Sequence, residues 1–174
     1  KVSAFWSIMF SLLVIFLYIL LRFRKWQFSL GAVAAVFHDV IIVLSIFSIF
    51  YGILPFSLEI DQAFIAALLT IIGYSLNDTV VVFDRIREHM FLYKKKEFNS
   101  LVNNALNSTL SRTVNTSLTT FFVLLVIFLF GGEVIRGFMF ALMVGVIVGT
   151  YSSLFIASPI MLDTMSTKAE SSKK

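Results

Sequence analysis

Gly73-Tyr74-Ser75-Leu76-Asn77-Asp78-Thr79-Val80-Val81-Val82-Phe83-Asp84-Arg85-Ile86-Arg87-Glu88 puts an ionisable carboxylate, Asp78, near the end of an apolar run that begins at Gln62 and is long enough to cross a bilayer. Charge within hydrocarbon is costly, so an intramembrane carboxylate is ordinarily retained for a function. The charges from Asp84 to Glu88 mark where this run leaves the membrane.

The rest of the chain fits that setting. Of 174 residues, 59% are hydrophobic and 14% charged, and the 20 Phe exceed what a soluble core of this size encloses. The solvent for most of this chain is therefore lipid. Hydrocarbon about 30 Å thick needs roughly 20 apolar residues per helix, and runs at 4–21, 30–54, 62–83, 113–130 and 134–162 meet that need. The last is longer than required, which predicts a tilt or a start in the interface. The runs are apolar all round instead of alternating as barrel strands do, so they are helices. The expected fold is an all-α membrane protein, a bundle of about five transmembrane helices over 1–163, followed by a disordered tail at 164–174 that lacks apolar periodicity.

Lys and Arg accumulate in cytoplasmic segments. With five crossings, Arg22, Arg24, Lys25, Arg85, Arg87, Lys94, Lys95, Lys96, Arg112, Lys168, Lys173 and Lys174 share one side, and only Lys1 and Arg136 the other. The chain start is thus expected outside and the C-terminus in the cytoplasm. The net charge of +4 then reflects contact with the inner leaflet and not nucleic-acid binding. Absence of cysteine removes disulfides and thiolate sites, and two histidines are too few for an ordinary zinc site, so no metal is expected. The first run ends in Arg22-Phe23-Arg24-Lys25 without a small-residue cleavage site, which reads as a true span and not a signal peptide.

The outer connections, Gly52 to Asp61 and Gly131-Gly132-Glu133, are too short to hold a domain. The inner connection is long. Within it Phe98, Leu101, Val102, Ala105, Leu106 and Leu110 recur at three and four. That spacing predicts an amphipathic helix over 98–111, lying on the inner leaflet with Asn99, Asn103, Asn104 and Asn107 toward water.

Three constellations could carry chemistry. Asp39, in the preceding and oppositely running span, lies within several ångströms of the depth of Asp78 at about 1.5 Å per residue, so both can face one interior seam. A carboxylate held from water can bind and release a proton during a working cycle. The plainer alternative is a carboxylate permanently satisfied by hydrogen bonds. His38 precedes Asp39 and points roughly 100° away around the helix, so it need not share that seam. Second, Arg112, Asn115, Thr116, Thr119 and Thr120 form one polar stripe at i, i+3, i+4, i+7 and i+8, with Arg112 expected to pair with Asp78 and Asn77 and Thr79 supporting the site. Third, Gly137, Ala141, Gly145, Gly149, Ser153 and Ala157 repeat every four residues, a small-residue ridge that lets helices approach closely.

The sixteen residues from Gly73 to Glu88, together with His38-Asp39 and Ser111-Arg112-Thr113-Val114-Asn115-Thr116-Ser117, resemble the signature of the SecF family of the bacterial protein-export machinery, within the RND superfamily. The resemblance extends in helix spacing across nearly the entire chain. It implies a non-enzymatic accessory subunit of the Sec translocon that uses the proton gradient to promote polypeptide export across the bacterial inner membrane. Asp78 matches the carboxylate taken to serve proton-dependent function, and Arg112 the arginine implicated beside it. Protons are the implied coupling ion, with no other cofactor. The implied partners are SecD, separate or fused, the SecYEG channel, YajC and YidC, besides the exported polypeptide and membrane lipid. SecF-like proteins begin with a further transmembrane helix and an extracytoplasmic domain, so the expectation is a SecF-type transmembrane domain lacking both, a fragment or the tail of a SecD and SecF fusion. The alternatives are an RND-type proton-coupled exporter of small molecules or lipids and a passive translocon scaffold. An intramembrane aspartyl protease is disfavoured because Phe37-His38-Asp39 and Leu76-Asn77-Asp78 lack that family's wording.

Overall fold

The computed structural model describes residues 2–93 and 96–171, and the side chains of residues 10, 13–93 and 96–165. Its elements are α1 (Val2–Phe23), α2 (Trp26–Phe50), α3 (Gln62–Leu92), α4 (Phe98–Phe130), α5 (Glu133–Ser152), a π turn (Ser153–Ala157) and α6 (Ser158–Ser171), with no strand among the described residues. Four stretches, Trp26–Phe50, Gln62–Leu92, Phe98–Phe130 and Glu133–Met165, are long and apolar enough to cross a membrane, and α1 contributes the apolar stretch Leu13–Phe23. Lipid offers no hydrogen bonds to the backbone, so each crossing satisfies its own N–H and C=O groups within a helix.

Several boundaries differ from expectation for local reasons. α2 begins at Trp26 and not near residue 30, because Arg24 adopts the left-handed region at φ 56 and its N–H closes on the Leu20 carbonyl at 2.7 Å, turning the chain in two residues. α3 starts where Asp61 accepts from the Phe64 N–H at 2.8 Å, and it continues past Phe83 to Leu92. Residues such as Arg and Glu are good helix formers that carry a span beyond the hydrocarbon.

The segment 98–111 is not a separate helix on the leaflet surface. It is the N-terminal part of α4, continuous with the span. Leu101, Val102 and Ala105 are buried against Phe23, Phe83 and Ile86, so this face meets protein where lipid was expected; Asn99, Asn103, Asn104 and Asn107 are exposed. The final crossing is interrupted by the π turn. Pro159 has no N–H to give to the Phe155 carbonyl, and Ser158 Oγ instead donates to the Ser153 carbonyl five residues back at 3.0 Å. The tail expected to be disordered from residue 164 is helical to Ser171, with Met165 packed against the core and Thr164 Oγ1 donating to the Ile160 carbonyl at 2.7 Å. Residues 172–174 lie outside the described residues.

Packing divides the bundle into two apolar clusters. One gathers Ile19, Phe23, Phe28, Ala32, Phe83, Ile86, Leu101, Ala157 and Met161 around the α1–α2 turn. The other gathers Val43, Phe47, Leu58, Phe64, Ala67, Ile71 and Ala141 toward the other end. Along α2, α3 and the α5–α6 rod, the buried polar side chains between the clusters are Asp39, then Ser75 and Thr79, then Ser152 and Ser153. A polar belt therefore crosses the bundle between two apolar layers.

The first layer is closed by aromatic packing. Phe28 stacks on Phe23 at 5.0 Å, and Phe83 meets both edge-on at 5.0 and 5.8 Å. Since Phe83 is fully buried, Phe83→Ala should destabilise the bundle by about 3–5 kcal/mol through lost contacts and the cavity left behind. Thermal denaturation of the purified variant in detergent checks this; a melting curve unchanged from wild type would show that the layer collapses to fill the space.

Candidate intramembrane polar site

Asp39 and Asp78 reach the belt from antiparallel helices at matching depth, Asp39 13 residues after Trp26 and Asp78 14 residues before Leu92. Their surroundings differ. Asp39 is completely buried, and its Oδ2 accepts from Ser75 Oγ of α3 at 2.6 Å and Ser152 Oγ of α5 at 2.9 Å. Its Oδ1 lies 3.2 Å from His38 Nδ1, so His38 does share the seam after all. Backbone direction alone separates adjacent residues by about 100°, but the imidazole bends back far enough to touch its neighbour.

Asp78 is half-buried, with Oδ1 accepting from Thr113 Oγ1 of α4 at 3.1 Å. Its Oδ2 is enclosed without a close hydrogen-bond partner, and the Ser153 hydroxyl also acts on the carboxylate. Thr79, its neighbour, is buried and lies with Oγ1 3.0 Å from Ser153 Oγ at the start of the π turn. Ser153 Oγ also donates to the Gly149 carbonyl at 2.8 Å, anchoring the last turn of α5. Asn77 is exposed.

The stripe expected to face Asp78 points outward. Arg112, Asn115, Thr116 and Thr119 are exposed and Thr120 half-buried. The threonine hydroxyls bond to their own helix, Thr116 to the Arg112 carbonyl at 2.9 Å and Thr119 to the Asn115 carbonyl at 3.0 Å, as threonines commonly do. The expected Arg112–Asp78 ion pair is not formed as a contact, although Arg112 stays near enough for its charge to act on the carboxylate; Arg22 pairs instead with Asp84 and Arg85 with Glu88. Arg112 instead lines a groove of about 370 Å³ with Val81, Asp84, Arg85, Glu88, Ser108 and Thr109.

The face of α4 that does turn inward is Thr109, Thr113 and Ser117, spaced at four. Ser117 Oγ lies 2.5 Å from Thr150 Oγ1 and accepts from Tyr74 Oη at 3.3 Å, tying α3, α4 and α5 together. Thr113, Ser117, Ser75 and Ser152 are site residues that sequence reasoning missed. Ser75 stands three residues before Asp78, on the same side of α3, and this spacing was the available signal.

The small-residue ridge runs along α3. A Cβ on Gly145 would strike the Ile71 side chain, one on Gly149 would lie 3.0 Å from Ser75 Cβ, and one on Gly137 would lie 2.5 Å from the Ser57 carbonyl of the α2–α3 loop. Ala141 is buried, and Ser153 continues the row by bonding Thr79. At the far end Ala157 meets Gly31 of α2, where a Cβ would strike the Ala157 carbonyl. The ridge thus holds α5 close enough for single-atom hydroxyl contacts to bridge it to α3.

Comparison with known proteins places this arrangement. Residues 1–167 match the family described as protein export membrane protein SecD/SecF, C-terminal. The chain is similar to the protein translocase subunit SecF of Rhodothermus marinus, 63% identical over 163 residues, which are 94% of this chain and 53% of that protein. The SecF of Petrotoga mobilis is 44% identical over 170 residues, covering 98% of this chain and 54% of the relative. A crystal structure of SecDF in a super-membrane-facing form superposes with a TM-score of 0.80 at 42% identity, over 97% of this chain and 22% of its own. A Thermus SecDF, described as a translocon-associated membrane protein, gives the same TM-score at 44% identity, over 92% of this chain and 21% of its own. The chain spans about half the length of the curated relatives it matches. With its helical bundle and its ridge-packed polar belt, this membrane chain belongs to the SecD/SecF C-terminal family of protein export membrane proteins.

Proposed function

We propose that this chain is the membrane-embedded part of a SecF subunit that assists polypeptide export by the Sec translocon, and that Asp78 exchanges the proton that drives it. The observation that carries the proton role is the divided environment of Asp78: Oδ1 is held by Thr113, while the enclosed Oδ2 has no close hydrogen-bond partner. A carboxylate charge held away from water is costly, and a proton placed there removes the charge. The reading is of a non-enzymatic machine with protons as its only coupling agent.

Proton occupancy would be felt where the belt is tied. Asp78 sits beside Thr79, whose hydroxyl meets Ser153 at the π turn. π turns often mark places where a helix shifts register. A change of charge at Asp78 would therefore bias two arrangements of α3 against the α5–α6 rod, and an outer domain would read out the difference. The exposed stripe of Arg112, Asn115, Thr116 and Thr119 on a membrane-crossing helix is costly toward lipid and fits contact with a SecD half, separate or fused. The positive-inside bias supports a cytoplasmic C-terminus.

The test is export into proteoliposomes holding the channel with and without the full-length subunit and its SecD partner, under an imposed proton gradient. The subunit should raise export only while the gradient stands, and a protonophore should erase the gain. A gain that survives the protonophore would leave a scaffold role. Within this assay Thr113→Val should displace the pH profile of stimulation, because it removes the hydroxyl that steadies the charged carboxylate, and Thr113→Ser should restore it. An unmoved profile in Thr113→Val would separate Thr113 from the proton site.

A further inference from the structure

The Asp78 reading makes no use of the second carboxylate, which is the more deeply buried of the two. We propose that His38 and Asp39 form a second proton-binding unit, holding one exchangeable proton between Nδ1 and Oδ1, whose position is read by α3 and α5 through Ser75 and Ser152. The proposal deepens the proton-coupled reading and rests on it for the unit's use in a working cycle.

Asp39 has no exposed surface, whereas the His38 side chain is 30% exposed. The groups facing the pair are few. On α2 they face each other at 3.2 Å; from α3 comes Ser75 Oγ at 2.6 Å; from α5 come Ser152 Oγ at 2.9 Å and the Tyr151 ring, 6.4 Å from the imidazole. Tyr151 is the one other titratable group among these contacts, and no Lys or Arg among the described residues forms an ion pair with Asp39. An isolated carboxylate at this depth is strongly disfavoured. The pair is neutral overall in two forms, a carboxylic acid beside neutral imidazole and a carboxylate beside imidazolium. They differ by transfer of one proton from Oδ1 to Nδ1, with nothing else gained or lost. Of the two, only His38 has surface outside the packed bundle.

The two forms do not hold the bundle equally. Hydrogen bonds to an ionised acceptor are roughly twice as strong as neutral ones. With Asp39 ionised, the Ser75 and Ser152 hydroxyls clasp α3 and α5 to α2; with the proton on Oδ1, Oδ2 becomes a neutral carbonyl and the clasp loosens. Ser75 stands three residues before Asp78, and Ser152 is the last residue of α5 before the π turn. The clasp therefore acts on the two elements that position Asp78 and Ser153.

Infrared difference spectra of the full-length protein in nanodiscs, taken between pH 5 and 9 in an Asp78→Asn background, test this independently of the first site. A protonated-carboxyl band should persist there, vanish on adding Asp39→Asn, and shift its midpoint by about one pH unit, tenfold in proton affinity, on adding His38→Gln. Nitrogen-15 NMR of the His38 ring in the otherwise unaltered protein should show a change of protonation or tautomer over the same range. Either an Asp39-dependent band that His38→Gln leaves unmoved or a His38 ring that stays in one form throughout overturns the unit. Failure of Asp78 as a coupling residue would show separately, as gradient-dependent export unaffected by Asp78→Asn.

Discussion

Asp78→Asn is expected to leave the bundle assembled and to reduce gradient-dependent stimulation of export to the level of vesicles that lack the subunit. Asparagine matches aspartate in size and keeps an acceptor for Thr113 Oγ1, which lies 3.1 Å from Oδ1, so packing gives no reason for collapse. What is lost is the ionisable oxygen at the enclosed Oδ2 position. Because the side-chain amide cannot change charge, the bias between two helix arrangements disappears with the proton. The measurement is export into proteoliposomes under an imposed gradient, paired with size-exclusion analysis of the purified variant. Full stimulation by an assembled Asp78→Asn protein would remove Asp78 from the coupling mechanism.

The second large effect concerns backbone approach and not charge. Gly31→Val and Gly145→Leu should each abolish recovery of a monodisperse bundle or lower its melting temperature well below that of wild type. At Gly31 an added Cβ strikes the carbonyl of Ala157, part of the π turn's own backbone, which cannot rotate aside. At Gly145 it strikes Ile71, itself buried in the second apolar cluster. Overpacking typically costs about 1–3 kcal/mol where neighbours can give, and here the neighbours are backbone or enclosed side chain. Gly73, where an added Cβ meets nothing within 4 Å, is the control: Gly73→Ala should be tolerated. Melting of the three variants in detergent decides the matter, and a Gly31→Val protein as stable as the control would mean that α2 and the π turn are free to separate.

What the sequence by itself determined was set by requirements that each segment must meet alone. A lipid-facing backbone must bond within its own helix, so run length and all-round apolarity announced an all-α membrane bundle before any contact was known. Spacing at four was enough to pick out the Gly137–Ala157 ridge, because small residues in register leave a groove whatever fills it. Asp78 stood out for the same local reason, as a charge where charge is costly. The rotation of each helix was decided only in the tertiary structure. On α4 the row Arg112, Thr116, Thr119 and the row Thr109, Thr113, Ser117 both follow helical periodicity, and nothing in one chain's spacing says which faces the neighbours; the shapes of α3 and α5 select the smaller hydroxyls for the interior and leave Arg112 in an outer groove. The same holds for Leu101, Val102 and Ala105, whose amphipathic spacing suits a lipid surface or a protein one equally, until Phe23, Phe83 and Ile86 provide the latter. Tertiary packing likewise set Gly31 against the Ala157 carbonyl and brought Ser75 and Ser152 onto Asp39, the latter contacts joining residues 36 and 113 positions apart. Periodicity fixes which residues share a face, and only the packing of one helix on the next fixes where that face points.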